Sequence, residues 1–305
     1  MSKRKIAKLV NQGIVRGWDD PRLYTLVAIR RRGVPPGAIL SFVNELGVTT
    51  STTNIQIKRF ENSIRKYLEE TVPRLMMILD PIPVIIENLP EDHYESLSIP
   101  FKPGVPKMGE HLVPFSKKVY IDRTDFREVD SKDYFRLAPG KPVGLFKVPH
   151  PIRCTSFTKD PKTGLITEIR AHYENDTPKF VKPKTYIQWV ADFPKENSPI
   201  KVEARLFNQL FKSNDPESNP DGFLADVNPD SEEVFREAMI EVGFNEIRRR
   251  ELPREGDKDS NKESTRFQAL RVGYFAMDKD TDDEHGKRVV LNRIVTLKED
   301  AGKNA

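Results

Sequence analysis

The chain has 305 residues, of which 37% are hydrophobic and 31% are charged, so it can bury a sizeable core beneath a polar surface. The formal net charge of +4 is modest, so the location of the charge matters more than its sum. Basic residues cluster at residues 3–5, 30–32 and 248–250, which favours contact of local patches with a polyanionic partner.

Cysteine content and hydropathy exclude several classes of protein. Cys154 is the single cysteine, which excludes a disulfide within the chain and indicates a reducing compartment. No run of about 18 apolar residues is present, so no membrane span is predicted. Met1 is followed by charged residues rather than an apolar stretch, so no secretory signal is predicted. Together these features predict a cytoplasmic protein.

Helices are predicted from residue 1 to about residue 72. An apolar i, i+3, i+4 stripe at Ile6, Leu9 and Val10 predicts a helix that follows the basic residues 3–5 directly. Residues 17–22 predict a turn, and the adjacent carboxylates Asp19 and Asp20 are interpreted as turn formers rather than as an acid–base pair. Three further helices are predicted at residues 24–29, after Pro35 and Pro36, and from residue 57 to about residue 68.

After Pro73 the pattern changes to short apolar segments separated by Pro, Gly and Asp, which predicts β-barrels or a sandwich. Residues 160–164 are typical of a hairpin turn. Residues 231–242 are predicted to interrupt the strands with a helix. Strands are predicted at residues 118–121, 143–148, 166–173, 186–190, 202–207, 267–275 and 289–297.

The sequence shows no complete active site and no metal site. The five histidines are scattered, and neither a GxGxxG nor a GxxxxGK[ST] motif is present. Basic and amide side chains do occur among the predicted strands, and mixtures of this kind with aromatic rings read single-stranded RNA bases. Composition alone favours the alternative, that they are ordinary solvent-facing residues. The residues singled out are Arg74, Arg136, Lys147, Gln268 and Arg271.

Several segments together resemble one family. Residues 1–5, Met-Ser-Lys-Arg-Lys, resemble the KMSKS loop of class I aminoacyl-tRNA synthetases. Further segments in the same order resemble glutaminyl-tRNA synthetases of the eukaryotic, fungal type. They are residues 17–22 (GWDDPR), 30–33 (RRRG), 119–123 (VYIDR), 135–137 (FRL), 186–190 (YIQWV), 205–207 (RLF), 266–268 (RFQ) and 291–293 (LNR).

The resemblance implies a mixed, mainly β architecture. Residues 1–73 would form the KMSKS-type loop and a helical subdomain at the end of the catalytic region. Residues 74–129 and 199–300 would form the proximal anticodon-binding β-barrel, and residues 130–198 the distal one. The Rossmann catalytic domain is expected to lie upstream and to be absent from this chain, which would be the C-terminal portion of a longer synthetase.

The resemblance also implies an activity, the ATP-dependent attachment of glutamine to its tRNA. Lys3 would be catalytic, and Met1, Ser2, Lys3 and Arg4 would bind ATP, with Mg²⁺ as the counter-ion of ATP and no protein-bound metal. The partners would be the tRNA for glutamine and, through the missing N-terminal half, ATP and glutamine, and no membrane. The isolated chain is expected to be inactive. The alternative is a non-catalytic RNA-binding β-barrel module, since the barrels also resemble a ribosomal protein family that binds 5S rRNA.

The resemblance assigns anticodon contacts to the five residues singled out above. Arg74, Gln268 and Arg271 match positions around the central anticodon base, and Arg136 matches the arginine at the third base. Phe135 and Gly144 stand where bacterial relatives have a lysine and an arginine that serve the first base. Lys147 is expected to substitute there as a cation.

Overall fold

The computed structural model describes residues 2–47, 55–175, 182–251, 262–282 and 288–297. Among the described residues, four helices lie before residue 73, as predicted, and one more lies between the strand that ends at Ile240 and the strand that begins at Arg266. Within the described ranges, no helix is both long and apolar enough to cross a membrane. The helices are α1 (Lys3–Asn11), α2 (Leu26–Arg32), α3 (Pro36–Leu46), α4 (Ile57–Thr71) and α5 (Gly243–Glu251).

Strands dominate the chain after Pro73, which confirms the mainly β prediction. The predicted hairpin turn at residues 160–164 lies between two long strands, where the amide of Gly164 donates to the carbonyl of Asp160 over 2.8 Å. The strands are β1 (Arg74–Leu75), β2 (Met77–Ile78), β3 (Pro81–Ile86), β4 (Tyr94–Pro100), β5 (Glu110–Ser116), β6 (Lys118–Asp122), β7 (Pro142–Leu145), β8 (Ile152–Lys159), β9 (Ile166–Tyr173), β10 (Tyr186–Ile187), β11 (Val190–Ala191), β12 (Ile200–Phe207), β13 (Glu232–Ile240), β14 (Arg266–Ala269), β15 (Gly273–Met277) and β16 (Val289–Thr296).

The prediction of a helix at residues 231–242 is wrong. This segment forms β13, and its last two residues pair antiparallel with β2, Met239 opposite Ile78 and Ile240 opposite Met77. Three successive residues, Ala238 to Ile240, are buried. Such a run suits a strand that is covered on both faces, whereas a surface helix would expose part of it. The helix of this region, α5, begins only at Gly243.

Contacts divide the chain into two compact units. Unit 1 comprises Met1–Val72, Glu203–Val234 and Glu251–Ala305, and unit 2 comprises Pro73–Val202 and Phe235–Arg250. The predicted boundaries of the two anticodon-binding barrels stay a prediction.

Unit 2 contains a seven-stranded sheet in the order β10-β7-β8-β9-β3-β6-β11. Its two edge strands, β10 and β11, are separated in the chain by only Gln188 and Trp189. The three steps from Ile187 to Val190 span roughly 10 Å when fully extended, so the sheet must curl until its edges meet. The result is a barrel-like sheet around a fully buried Trp189. A separate hairpin, β4-β5, belongs to the same unit.

Unit 1 packs helices against strands of a second sheet. β14, β15 and β16 pair antiparallel in sequence order, and β12 follows β16 in the sheet. Apolar residues of α3 and α4, including Ala38, Ile64 and Leu68, share a core with Ala276 and Ile294 of the sheet. Burial of these side chains stabilises the unit by about 25 cal/mol for each Å² of apolar surface removed from water.

A buried ion-pair network fastens α2 to the sheet of unit 1. The guanidinium of Arg31 donates to both carboxylate oxygens of Asp278, over 3.1 and 3.2 Å, and to Asp280 over 2.9 Å. Asp278 is completely buried. Arg205 of β12 donates to the same Asp280 over 2.8 Å and to Glu203 over 2.8 Å. Burial raises the pKa of the Glu203 carboxyl, but hydrogen bonds from Arg288 and Arg205 outweigh burial and lower it overall.

The turn predicted at residues 17–22 is built around one buried carboxylate, that of Asp20. Asp20 accepts hydrogen bonds from the backbone amides of Arg16 and Arg22, over 2.9 and 3.0 Å. It also accepts two from the guanidinium of Arg22, over 2.9 and 2.8 Å. Its neighbour Asp19 accepts from Arg31 over 3.3 Å. These carboxylates therefore organise the turn and join it to α2.

The network predicts a large cost for losing Arg31. We expect Arg31→Met to lower the free energy of unfolding by about 3–5 kcal/mol, because it removes two guanidinium hydrogen bonds from the buried Asp278 carboxylate and leaves only the longer ionic contact with Arg205, at 3.8 Å. Urea denaturation followed by circular dichroism measures the change.

The matched control is Lys279→Met in the same unit. The ammonium group of Lys279 contacts Asp19 at 2.5 Å, but its side chain is more than half exposed. An exposed pair of this kind contributes about 0–1 kcal/mol. If both variants lost a similar amount of unfolding free energy, the conclusion that the buried network holds α2 against the sheet would be contradicted.

Candidate nucleic-acid interface

The first turn of α1 presents positive charge to solvent. Ser2 precedes the helix in an extended conformation, and its carbonyl accepts from the amides of Lys5 and Ile6 over 3.0 and 3.1 Å. Lys3 and Arg4 are exposed, and the first turn contains no acidic residue. Unbonded N–H groups at a helix start together with cations favour a phosphate group. Met1 lies outside the described residues.

Lys5 is turned towards the protein instead. Its ammonium group pairs with the carboxylate of Glu217 and lies 5.7 Å from the centre of the Phe223 ring. The hydrogen bond from Lys5 lowers the pKa of Glu217. Beneath this pair, Leu9 of α1 packs in one core with Leu210. The segment after β12 therefore fixes α1 and leaves its first two cations at the surface.

An open cleft of about 1110 Å³ adjoins this helix start within unit 1. Its lining combines cations, amides and aromatic rings, among them Lys5, Gln56, Lys58, Tyr24 and Phe211. Such a lining can accommodate a polar, planar or anionic group.

Two cations that the sequence predicted as base contacts stand in a left-handed backbone conformation. Lys147 has φ 66° and Arg271 has φ 62°. Residues with a Cβ rarely adopt this region, and each instance costs about 1–2 kcal/mol. Such strain persists where the surroundings enforce it, and it concentrates at functional sites. No sequence pattern signals a positive φ at a lysine or arginine, so this feature was visible only in the structure.

The turn that carries Lys147 is held rigidly. The amide of Val148 donates to the carbonyl of Leu145 over 3.0 Å, which closes the turn with Lys147 at its third position. The amide of Phe146 donates to Ile187 over 2.9 Å, and the indole of the buried Trp189 donates to Phe146 over 2.9 Å. Lys147 itself is exposed at the end of β7. The barrel core thus orients an exposed cation.

Arg271 occupies the same position in a second turn. The amide of Val272 donates to the carbonyl of Ala269 over 3.1 Å, and this turn joins β14 to β15. Gln268 lies opposite Tyr274, one residue pair from the turn. The structure therefore brings Gln268 and Arg271 to the same end of one hairpin in unit 1.

Arg136 and Arg74 belong to unit 2 together with Lys147. The Arg136 guanidinium donates to the carbonyl of Thr124 over 3.2 Å and pairs with the buried carboxylate of Asp125 at 3.1 Å. Arg74 is partly buried in β1, and its amide donates to the carbonyl of Phe101 over 2.6 Å. The five proposed base contacts are thus divided between the two units.

The basic cluster at residues 30–32 is not the surface patch that the sequence predicted. Arg31 is buried in the ion-pair network, and Arg32 donates to the carbonyl of Ile294 over 2.8 Å. Arg30 retains an exposed side chain, which approaches Glu263 at 3.5 Å. The prediction that residues 30–32 form a surface patch for a polyanion is therefore wrong. Two of the three guanidinium groups bond within the fold instead.

Metal and thiol chemistry find no support in the part of the chain that the structure describes. No group of three or more His, Cys, Asp or Glu side chains there could hold a metal ion. Cys154 is buried, and burial raises the pKa of its thiol to about 11. A thiol of this kind is protonated and inert near neutral pH.

Family models match most of the chain. Residues 1–70 match the catalytic domain of the class I tRNA synthetases (E and Q), and residues 72–174 and 186–252 match two models of the anticodon-binding domain of the same group. The chain therefore belongs to the class I tRNA synthetases of the E and Q type.

Curated relatives refine this placement and confirm the resemblance to glutaminyl-tRNA synthetases. The chain is 57% identical over 309 residues to a glutamine–tRNA ligase protein of Hypocrea virens and 54% identical over 319 residues to the glutamine–tRNA ligase of Saccharomyces cerevisiae. It is 43% identical over 309 residues to the cytoplasmic glutamine–tRNA ligase of Arabidopsis thaliana. These alignments cover 100%, 99% and 99% of this chain but only 46%, 39% and 36% of the relatives. The chain spans less than half their length.

The strained turn at Lys147 predicts that two substitutions there will differ in stability but not in RNA affinity. Lys147→Gly and Lys147→Ala both remove the cation, but only glycine relieves the positive φ. We expect the glycine variant to unfold with a free energy about 1 kcal/mol higher than the alanine variant. Chemical denaturation of the two variants measures this difference.

The two variants should nevertheless lose RNA affinity equally, because both lack the ammonium group. Filter binding with a labelled tRNA at fixed salt checks this second expectation. If the alanine variant were as stable as the glycine variant, the turn would not be strained.

Proposed function

We propose that this chain supplies the tRNA-selecting portion of a glutamine–tRNA ligase, the enzyme that attaches glutamine to its tRNA at the expense of ATP. The observation that carries the proposal is the identity of 57% and 54% to ligases of that name over essentially the whole chain. The cytoplasm is the compartment that we propose, in agreement with the printed name of the Arabidopsis relative.

The start of α1 is the part of the chain that we propose for the ATP step. Two exposed cations and the amides of a helix start suit a triphosphate in charge and in hydrogen bonding. ATP, with Mg²⁺ as its counter-ion, brings the phosphoric anhydride that drives amino-acid activation. Lys3 would stabilise the negative charge that develops on the phosphate oxygens. Ser2 and Arg4 would shape the backbone around it, and Met1 would belong to the same ATP-binding segment. The pairing of Lys5 with Glu217 attaches the start of α1 to the segment after β12.

We propose that the cations singled out on the turns and strands read the anticodon. Lys147 and Arg271 present their charges on strained, well-anchored turns, and Gln268 adds an amide beside Arg271. Arg136 and Arg74 would contribute guanidinium groups from unit 2. The proposed proximal barrel comprises residues 74–129 and 199–300, and the distal barrel comprises residues 130–198.

A non-catalytic RNA-binding module is the second candidate. It is favoured by one observation, that only residues 1–70 match the catalytic-domain model whereas most of the remainder matches anticodon-binding models. The two candidates differ in whether Lys3 contributes to a reaction.

A chimera distinguishes the two candidates. The chain replaces the homologous region of the Saccharomyces cerevisiae ligase, to which it is 54% identical. We expect the chimera to charge its tRNA with glutamine, and Lys3→Ala to lower kcat by roughly 10²–10³ without changing tRNA affinity, as when a transition-state electrostatic contact is lost.

Lys66→Ala is the matched control, since Lys66 is an exposed lysine on α4 that does not line the cleft beside the start of α1. It should leave kcat unchanged. The isolated chain should bind the tRNA but attach no glutamine. If Lys3→Ala leaves the activity of the chimera unchanged, the result supports the non-catalytic module. Robust turnover by the isolated chain would contradict the proposal that it supplies only the tRNA-selecting portion of the enzyme.

Arg136 tests anticodon reading separately. We expect Arg136→Ala to reduce discrimination between glutamine and non-glutamine anticodons by about 1–3 kcal/mol, as for loss of one good base contact. The measurement is tRNA affinity for a series that differs only at the third anticodon base.

The pairing of Arg136 with the buried Asp125 makes a second variant necessary. Arg136→Lys keeps a cation for Asp125 but cannot make a planar, bidentate base contact. It should fold normally and still lose discrimination. Equal weakening across all anticodons would instead mark Arg136 as a phosphate contact.

A further inference from the structure

Two aromatic rings in unit 2 are exposed although nearby rings are buried. The side chain of Phe135 is 43% exposed and that of Tyr186 is 40% exposed, whereas the adjacent Tyr134 is buried. An exposed ring normally costs free energy in water, and burial of a full aromatic side chain is worth about 1.5–3 kcal/mol. These two rings are therefore candidates for burial by a ligand.

Lysine ammonium groups surround the Phe135 ring. Lys184 lies 5.2 Å from the ring centre and Lys141 lies 5.8 Å from it. Lys141 is also paired with Asp130, so Lys184 is the more available charge. The pKa of Asp130 is lowered chiefly by its hydrogen bond from Lys141, and the charge of Lys184 adds to the effect. Positive charge at an exposed ring suits a ligand that combines a planar group with an anion.

Gly144 sets the position of the second ring. β10 runs parallel to β7 with Tyr186 opposite Gly144, and a Cβ at Gly144 would overlap the Tyr186 ring. The ring therefore occupies the space that a side chain at position 144 would fill. Lys184 precedes Tyr186 by two residues, at a bend just before β10, and its ammonium group lies 5.2 Å from the centre of the Phe135 ring. Lys184 thereby links the two rings.

We propose that Phe135 and Tyr186, with Lys184 and Lys141, form a stacking platform for an unpaired nucleobase of the bound tRNA. The rings would stack on the base, and the ammonium groups would contact the adjacent phosphate. The inference rests on the proposed function and names a means of recognition beyond the cations described above. Arg136 follows Phe135 directly in the chain, so the platform and a proposed base contact share one segment.

Fluorescence of 2-aminopurine tests stacking directly, because stacking on an aromatic ring quenches it. The probe is the glutamine tRNA with 2-aminopurine placed in turn at each anticodon-loop position, bound to the full chain. We expect one position to be quenched by the wild-type chain. Phe135→Ala and Tyr186→Ala should remove that quenching and weaken tRNA binding about tenfold.

Three matched variants control for folding and for general exposure. Phe135→Tyr and Tyr186→Phe keep the rings and should retain the quenching and the affinity. Tyr94→Ala removes another exposed ring of unit 2, one that stacks on Phe193 and donates its hydroxyl to Glu196. Because a carboxylate rather than lysine accompanies this ring, its loss should not change tRNA binding.

The outcomes separate this proposal from the proposed function. Normal affinity and retained quenching in Phe135→Ala and Tyr186→Ala would overturn the platform while leaving tRNA binding intact. Tight binding with no quenched position would reduce the surface to an electrostatic patch and overturn the platform as well. A wild-type chain that does not bind the tRNA would overturn both proposals.

Discussion

The buried carboxylate of Asp278 is the constraint on which unit 1 depends. A charged group without water is costly unless cations and hydrogen bonds surround it, and Arg31 supplies two of those bonds from α2. The requirement ties helical residues that match a catalytic-domain model to strands near the C-terminal end of the chain. Because Arg205 shares Asp280 with Arg31, the same network also fixes β12. The start of α1 and the hairpin that carries Arg271 therefore belong to one packed unit.

In unit 2, the core holds an exposed cation in place without burying it. Its curled sheet encloses Trp189, whose indole also anchors the turn that carries Lys147. A glycine at that position would relieve the backbone, so the lysine is retained at a cost of about 1–2 kcal/mol. Arg271 shows the same compromise in the other unit. This cost in stability is explained if the charged side chain, rather than the shape of the turn, is what function requires at the position.

The sequence predicted elements whose signals are local and failed where long-range contacts decide. Stripes such as Ile6, Leu9 and Val10 located the helices because amphipathic spacing is a local property. Residues 231–242 were misassigned because pairing with β2 overrides a sequence compatible with a helix. The pairing of Lys5 with Glu217 and the burial of Arg31 join residues more than two hundred positions apart, so neither could be read from spacing. The candidate base contacts were singled out as basic and amide side chains among the strands and were assigned by the family resemblance. The left-handed backbone at Lys147 and Arg271 was visible only in the structure.

Charge and stacking have different physical consequences for RNA recognition, and the surface around Phe135 and Lys184 combines a ring with cations. Contacts between lysine and phosphate release counter-ions, so the affinity they give falls steeply with salt, whereas stacking of a base on a ring depends on salt far less. Exposed rings at Phe135 and Tyr186 beside Lys184 would therefore keep a base bound under conditions that weaken the cations alone. Gly144 is essential to this arrangement, because any larger side chain would displace the Tyr186 ring. The absence of a side chain at Gly144 thus leaves the space that the planar Tyr186 ring occupies.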